Sequence, residues 1–433
     1  MTSRGERTFG PDTRVVLSSQ ALRALAYGFG SVQLGAALEA EGWSGRRLGV
    51  FLGFVVAGAA LSSVLLARFG DRVGRRRCYR LLWLSLGCIG ASIALTTSLW
   101  VLLPIVLTGA LSTEVVETGP FTTLEQSMIA SDVAGHELVK GYGWYNAIAT
   151  LSGSVGALAA GGPKLLRDYV PGAEIDRRLF WVLVPIAGLG LVNSLRLSPA
   201  VERQAVAVGN STAVVPAISE SRSVVRRLSG LFAIDSFGGG FVVQTFLVFW
   251  LRREFDASTT LIGVVFFAIG IVQTLSFLAA PLLARRIGLL YTMVFTHIPS
   301  NMCLVGVAFA PSLGLAIAFL VGRALLGQMD VPTRQAYVMA LVPPAERTAA
   351  AAYTNTARYV ARPWAPLIAG PLQSLGAGLP FAVAGVLKTI YDVALWRWFK
   401  DVELPTPAQV PSSTGRQSES SGTSDPTPRR QPS

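Results

Sequence analysis

The chain has 433 residues, 51% of them hydrophobic and only 14% charged, with a mean hydropathy of +0.50. A soluble protein carries about 25% charged residues, so this composition excludes an ordinary soluble enzyme and indicates a membrane protein embedded in a lipid bilayer. The net charge of +12 therefore reports on topology rather than on a nucleic-acid partner, and none is expected.

A bilayer crossing needs about 20 apolar residues. Residues 1–14 are polar and read as a cytosolic N-terminal segment, not a cleavable signal peptide. Apolar runs follow at roughly 15–38, 47–67, 79–98, 100–122, 141–163 and 179–196, then at 228–251, 260–284, 289–311, 313–338, 348–371 and 380–399. They predict an all-α polytopic protein with twelve transmembrane helices in two pseudosymmetric six-helix bundles, 15–196 and 228–400. A polar cytosolic linker, 197–227, joins the bundles, and the Pro/Ser/Thr/Gly-rich residues 401–433 are expected to form a disordered cytosolic tail. Basic residues gather on one side of this topology, above all at 68–80, so both termini are expected in the cytosol. A multi-pass, monomeric plasma-membrane protein of a bacterium is expected.

Cys78, Cys88 and Cys303 have unrelated spacings and read as small buried side chains, neither a disulfide frame nor a metal site. With only His136 and His297, no His-Glu-x-x-His and no Gly-Lys-Ser/Thr loop, the chain is not expected to be an enzyme or to need a cofactor.

The halves repeat. A shift of 214 residues places Gly49, Val50, Leu61, Ser62, Arg72 and Gly74 on Gly263, Val264, Leu275, Ser276, Arg286 and Gly288. A shift of 209 places Gln126, Asn146 and Gly161 on Gln335, Asn355 and Gly370. Such order at a near-constant offset indicates a duplicated bundle.

After the second run stands "ARFGDRVGRR", residues 67–76. It resembles the major facilitator superfamily signature Gly-x-x-x-Asp-Arg/Lys-x-Gly-Arg/Lys-Arg/Lys, with Asp71, Arg72, Gly74, Arg75 and Arg76 matching and Ala67 replacing the leading glycine. The second copy, "PLLARRIGLL", keeps Arg286 and Gly288 but has Arg285 in the place of the aspartate. The resemblance implies a secondary active transporter working by alternating access. It also implies that the turn clamps against the start of the eleventh span and an acid at the cytosolic end of the fourth. Glu125 occupies that place, giving a gating set of Asp71, Arg72, Gly74, Arg75, Arg76 and Glu125. The alternative role of these arginines is topological anchoring.

Charges within the spans mark the pathway, because a charge at mid-bilayer costs from about 2.5 to more than 10 kcal/mol unless it faces the bundle interior. On a continuous helix Glu114, Glu117 and Glu125 fall within an arc of roughly 80°, and Arg323, Asp330 and Arg334 within about 40°. The resemblance assigns the cavity to spans one, four, seven and ten. Proton-coupling candidates are Glu114, Glu117, Asp235 and Asp330; substrate-cavity candidates are Gln33, Gln244, Arg323, Gln328, Asn355, Arg358 and Arg362. The 209 shift sets Glu114 opposite Arg323 and Glu125 opposite Arg334. The first two form a structural ion pair, or else Glu114 carries a proton while Arg323 tunes it or holds an anionic group. Lys388 and Asp392, four apart, are expected to satisfy each other, and His297 to be a satisfied core histidine. The expected function is proton-coupled efflux of a small molecule. The alternatives are a proton-coupled importer of a small polar or anionic metabolite and a transport-inactive receptor or scaffold. The Gly-Pro-x-x-Gly-Gly kink of exporters is missing from "GALAAG", residues 156–161.

Overall fold

A computed structural model describes residues 9–112, 114, 119–132, 136–162, 177–202, 218–343 and 346–402, without the side chains of Ala67, Asp71, residues 131–140 and Thr348. Its helices in chain order are α1 (Pro11–Ala40), α2 (Gly45–Val73), α3 (Arg75–Leu95), α4 (Leu99–Val106), α5 (Pro120–Asp132) and α6 (His136–Ala159). A 3-10 turn, Arg177–Val182, leads into α7 (Leu183–Ser194). Then come α8 (Arg222–Gly240), α9 (Gln244–Phe255), α10 (Thr259–Ile287), α11 (Leu289–Ala308), α12 (Leu313–Gly327), α13 (Asp330–Leu341), α14 (Arg347–Ala361), α15 (Trp364–Leu375) and α16 (Leu379–Phe399). Among the described residues, 7 helical stretches are long and apolar enough to cross a membrane. The expected N-terminal segment, linker and tail fall largely on residues 1–8, 203–217 and 403–433, outside the described residues; helix begins earlier than expected, at Pro11 and Arg222.

Several apolar runs that read as continuous are broken near their middles, each for a local chemical reason. The fourth run divides into α4 and α5. Pro104 sits inside α4, Gly109 takes φ 72°, the Ser112 hydroxyl accepts the Glu114 N–H at 3.1 Å, and Pro120 opens α5. Glu114 therefore stands on a non-helical stretch, which corrects the single acidic helix face drawn from the sequence. Gly238, Gly239 and Gly240 end α8 where helix propensity is lowest, and α9 resumes at Gln244. The tenth run breaks at Gln328–Met329 and the eleventh at Arg362–Pro363.

The signature is mostly helix rather than turn. Asp71 and Arg72 belong to the last turn of α2, and Gly74 alone departs, with φ 100°, closing α2 and opening α3. Gly288, with φ 89°, does the same between α10 and α11. Only glycine takes such angles without strain, so the second copy keeps the backbone of the turn although its aspartate is gone.

The two halves of the chain meet at one end. There α1 packs on α9, α2 on α15, and α6 on α10. A Cβ on Gly370 would collide with the carbonyl oxygen of Gly45, and one on Gly49 with that of Pro366. In the other copy, a Cβ on Gly161 would strike Thr260 and one on Gly263 the carbonyl of Ala157. The repeated glycines thus build two related backbone-to-backbone seams. Arg252 Nε donates to Glu39 Oε2 at 3.0 Å across this closed end. The Gly74 and Gly288 turns lie at the opposite end of α2 and α10.

Candidate functional site

Between the halves lies a cavity of about 390 Å³. The repeat reappears in its wall: Gln126 and Gln335, and Asn146 and Asn355, all line it. So do Glu114, Asp235, Gln244, Arg323, Gln328, Asp330, Arg358 and Arg362 among the sequence candidates. Gln33 does not; it is fully buried in α1, because at the closed end that helix is covered by α9. Glu117 lies outside the described residues.

Asp235 on α8 is the hub of the wall. Its carboxylate accepts from Lys388 Nζ at 2.5 Å and from Arg334 Nη1 at 2.9 Å, with Arg358 Nη1 at 3.7 Å. Arg334 also pairs with Asp330 one turn earlier on α13, at 3.1 Å. These groups come from α8, α13, α14 and α16, so a single carboxylate ties four helices. The expectation that Lys388 and Asp392 satisfy each other is corrected. Lys388 reaches across to Asp235, and Asp392 Oδ1 and Oδ2 each lie 3.0 Å from His297 Nδ1 while Asn301 donates to Oδ2 at 2.8 Å.

The expected pairing of Glu114 with Arg323 is also corrected. The non-helical stretch carries Glu114 across to the other half, where Arg362 donates to its carboxylate. Arg323 stays within electrostatic range of Glu114 and Asp235, and its buried Nε has no hydrogen-bond partner among the described residues.

In this conformation Glu125 is not paired with Arg75. It is fully buried, and its two oxygens are taken by Arg23 Nη2 (2.6 Å), Tyr79 OH (2.7 Å) and Tyr145 OH (2.6 Å), while Arg23 also donates to Gln20. Sequence reasoning missed this cluster. Its available signal was Arg23, a charge inside the first apolar run that demanded a buried acid. The signature turn looks elsewhere. Arg75 Nη1 approaches the Val201 carbonyl at 3.5 Å, and the Arg76 N–H donates to Glu202 Oε1 at 3.3 Å, placing an acid at the positive start of α3. The side chain of Asp71 lies outside the description. Before α14, outside the spans, Glu346 accepts from the backbone N–H groups of Ser219, Glu220 and Ser221 at 2.8, 3.0 and 3.1 Å. Those donors, Ser219 first, lower its pKa to about 2.

Helix-only architecture, mid-span breaks and a charged cavity shared by two repeated halves define a polytopic membrane carrier. Residues 16–366 match the family profile described as Major Facilitator Superfamily, and the chain belongs to that superfamily. It is similar to the uncharacterized membrane protein YJR124C of Saccharomyces cerevisiae, 24% identical over 92% of this chain and 96% of the relative. Among solved structures it resembles a D-xylose-proton symporter (14% identity, TM-score 0.69, covering 89% of this chain and 98% of the other). It also resembles the human organic anion transporter MFSD10 (19% identity, TM-score 0.58, covering 91% and 100%). The protein is thus a secondary active transporter of that superfamily, one that moves a small molecule across a membrane by alternating access.

Proposed function

We propose that the protein is a monomeric, proton-coupled importer of a small anionic or polar metabolite, built from twelve spans in two six-helix bundles in the plasma membrane. The observation that carries this reading is the charge of the cavity wall. Arg323, Arg334, Arg358, Arg362 and Lys388 face only Glu114, Asp235 and Asp330 among the described lining residues. A surplus of cations in a low-dielectric wall favours a substrate that brings negative charge, and guanidinium groups suit a carboxylate or phosphate. The similar human structure is that of an organic anion transporter, which supports an anionic substrate, and the other similar structure is a D-xylose-proton symporter, which supports uptake over the efflux expected from the acidic fourth span. The basic cluster at 68–80 supports a cytosolic position for the end opposite the glycine seams, and on that reading this conformation is inward-facing and the seams are its outer closure. In the opposite state the turn of Asp71, Arg72, Gly74, Arg75 and Arg76 closes the cytosolic end.

The test is accumulation of radiolabelled mono- and dicarboxylates, phosphate monoesters, neutral pentoses and nucleosides in proteoliposomes with the acid side set inside or outside. Expected is accumulation of an anion driven by acid outside and lowered at least tenfold in Arg323→Ala. Accumulation of neutral solutes alone would overturn the anionic reading, and extrusion driven by the same gradient would restore efflux.

A further inference from the structure

We infer that His297 and Asp392 form the proton-carrying pair of this transporter, a reading that rests on proton coupling and moves its seat from the acids of the fourth span to the wall between α11 and α16. The cavity reaches His297 directly, since its ring lines the cavity although the residue is only 5% exposed. The two ring nitrogens have different surroundings. Nδ1 is held by both oxygens of Asp392, at 3.0 Å each, and Asn301 fixes Oδ2 of that carboxylate at 2.8 Å. Nε2 makes no hydrogen bond among the described residues. An imidazole anchored on one side by a carboxylate, in the wall of the cavity, has the geometry to take a proton there and to stabilise the resulting cation.

The surroundings give that proton a consequence. From α16 the ring meets Asp392 and Tyr391, whose ring centroid is 6.1 Å away, while Lys388 of the same helix is turned to Asp235. Asp235 of α8, and Asp330 and Arg334 of α13, extend the network, with Arg358 of α14 behind Asp235. Arg323 stands beside it on α12, where its carbonyl accepts from Ser300 at 3.1 Å. The charged residues of α10, Arg285 and Arg286, are confined to its last turn. In the ion-paired network Lys388, Arg334 and Arg358 offset Asp235, Asp330 and Asp392, and Arg323 beside it already adds one positive charge, so a protonated ring raises the local excess by one more. An anionic substrate in the adjoining cavity offsets that excess, so proton and anion favour each other's binding. Glu114 is less suited to the task, because Arg362 of the other half already claims its carboxylate.

The inference is testable without knowing the substrate. Of the two histidines, His136 is removed by His136→Gln, leaving His297 as the sole signal in protein labelled with [15N]histidine and held in nanodiscs. Its ring resonances are expected to change from the neutral to the protonated form as the sample is acidified from pH 8 to pH 5, and that change is expected to differ in Asp392→Asn. Unchanging resonances, or a change indifferent to Asp392→Asn, overturn the inference. Coupling is read by double electron–electron resonance between labels at Val73→Cys and Ile287→Cys, both exposed at the open end of the halves, after replacement of the native cysteines. The label separation is expected to shift by several ångström between pH 8 and pH 5, and His297→Asn, which keeps a donor to Asp392 but takes no proton, is expected to abolish the shift. If the variant shifts as the parent does, the proton site lies elsewhere and proton coupling stands. If the parent itself does not shift, proton coupling and the inference fall together.

Discussion

Arg23 with Glu125 in the first half, and Asp235 with Arg334 in the second, are one bridge built twice with the signs exchanged. Each joins the first helix of its half to the helix that follows the fourth or tenth break, at nearly the offset of the sequence repeat. Their surroundings differ. The first is sealed: Arg23 and Glu125 are 2% and 0% exposed, two tyrosine hydroxyls complete the carboxylate, and neither residue lines the cavity. In the second, Asp235 and Arg334 both line the cavity, with Lys388 and Arg358 gathered on the same carboxylate. A charge pair saturated by its own half holds that half together, whereas one shared among several cations in a cavity wall has other partners within reach. The two copies use one scaffold, and the local complement of hydroxyls or further charges seals one and leaves the other in the cavity wall.

The largest effect should come from breaking the sealed copy. Glu125→Gln or Arg23→Ala leaves a buried charge unpaired and is expected to cost about 3–5 kcal/mol. Thermal unfolding in detergent should show the loss; Asp235→Asn should cost less stability, because its cation partners line the cavity, yet lose transport. If Glu125→Gln melts normally and only transport fails, the contrast between the copies is wrong. Next in size are the hydroxyls that do the sealing. Tyr79→Phe removes one hydrogen bond to a charged acceptor and is expected to destabilise by about 1.5–3 kcal/mol, measurable in the same assay with transport per folded molecule unchanged. The smallest effect concerns Glu346, a carboxylate satisfied by backbone N–H groups instead of a cation. Its folded pKa lies below its ordinary value, so its stabilising contribution is present in full above about 4.5 and is lost as pH falls towards about 2. Glu346→Gln should lower the melting temperature at pH 7, on the order of a degree, and the gap from the parent should narrow below about pH 4.5 and close only as pH falls through about 2.

Much of this organisation is legible in the residues themselves. Hydropathy finds the helical cores because lipid demands them, and the repeat shift picks out residues whose places are now seen. Gly161 and Gly370 sit at seams, while Gln126, Asn146, Gln335 and Asn355 sit in the cavity wall. Partner choice is not legible. Helical spacing suggested Lys388 with Asp392 and repeat symmetry suggested Glu114 with Arg323, yet the pairs that form join helices distant in sequence, Lys388 with Asp235 and Glu114 with Arg362. Spacing reports which residues share a face, but not which face of another helix arrives opposite. The break at Gly109–Pro120 also escaped an apolar count, because the run stays hydrophobic while Pro104, Gly109 and Ser112 undo its helix.

The two glycine seams bear on how often this molecule can cycle. A surface that parts and rejoins at every turnover normally has rotamers to reset before it fits again, and each ordered side chain costs free energy on closure. Where Gly49 meets Gly370 and Gly161 meets Gly263, main chain lies against main chain and almost nothing has to be re-sorted. This door therefore behaves like a latch of flat plates rather than a lock with tumblers: its speed is set by the swing of the halves, and wear by mutation shows first as a door left ajar.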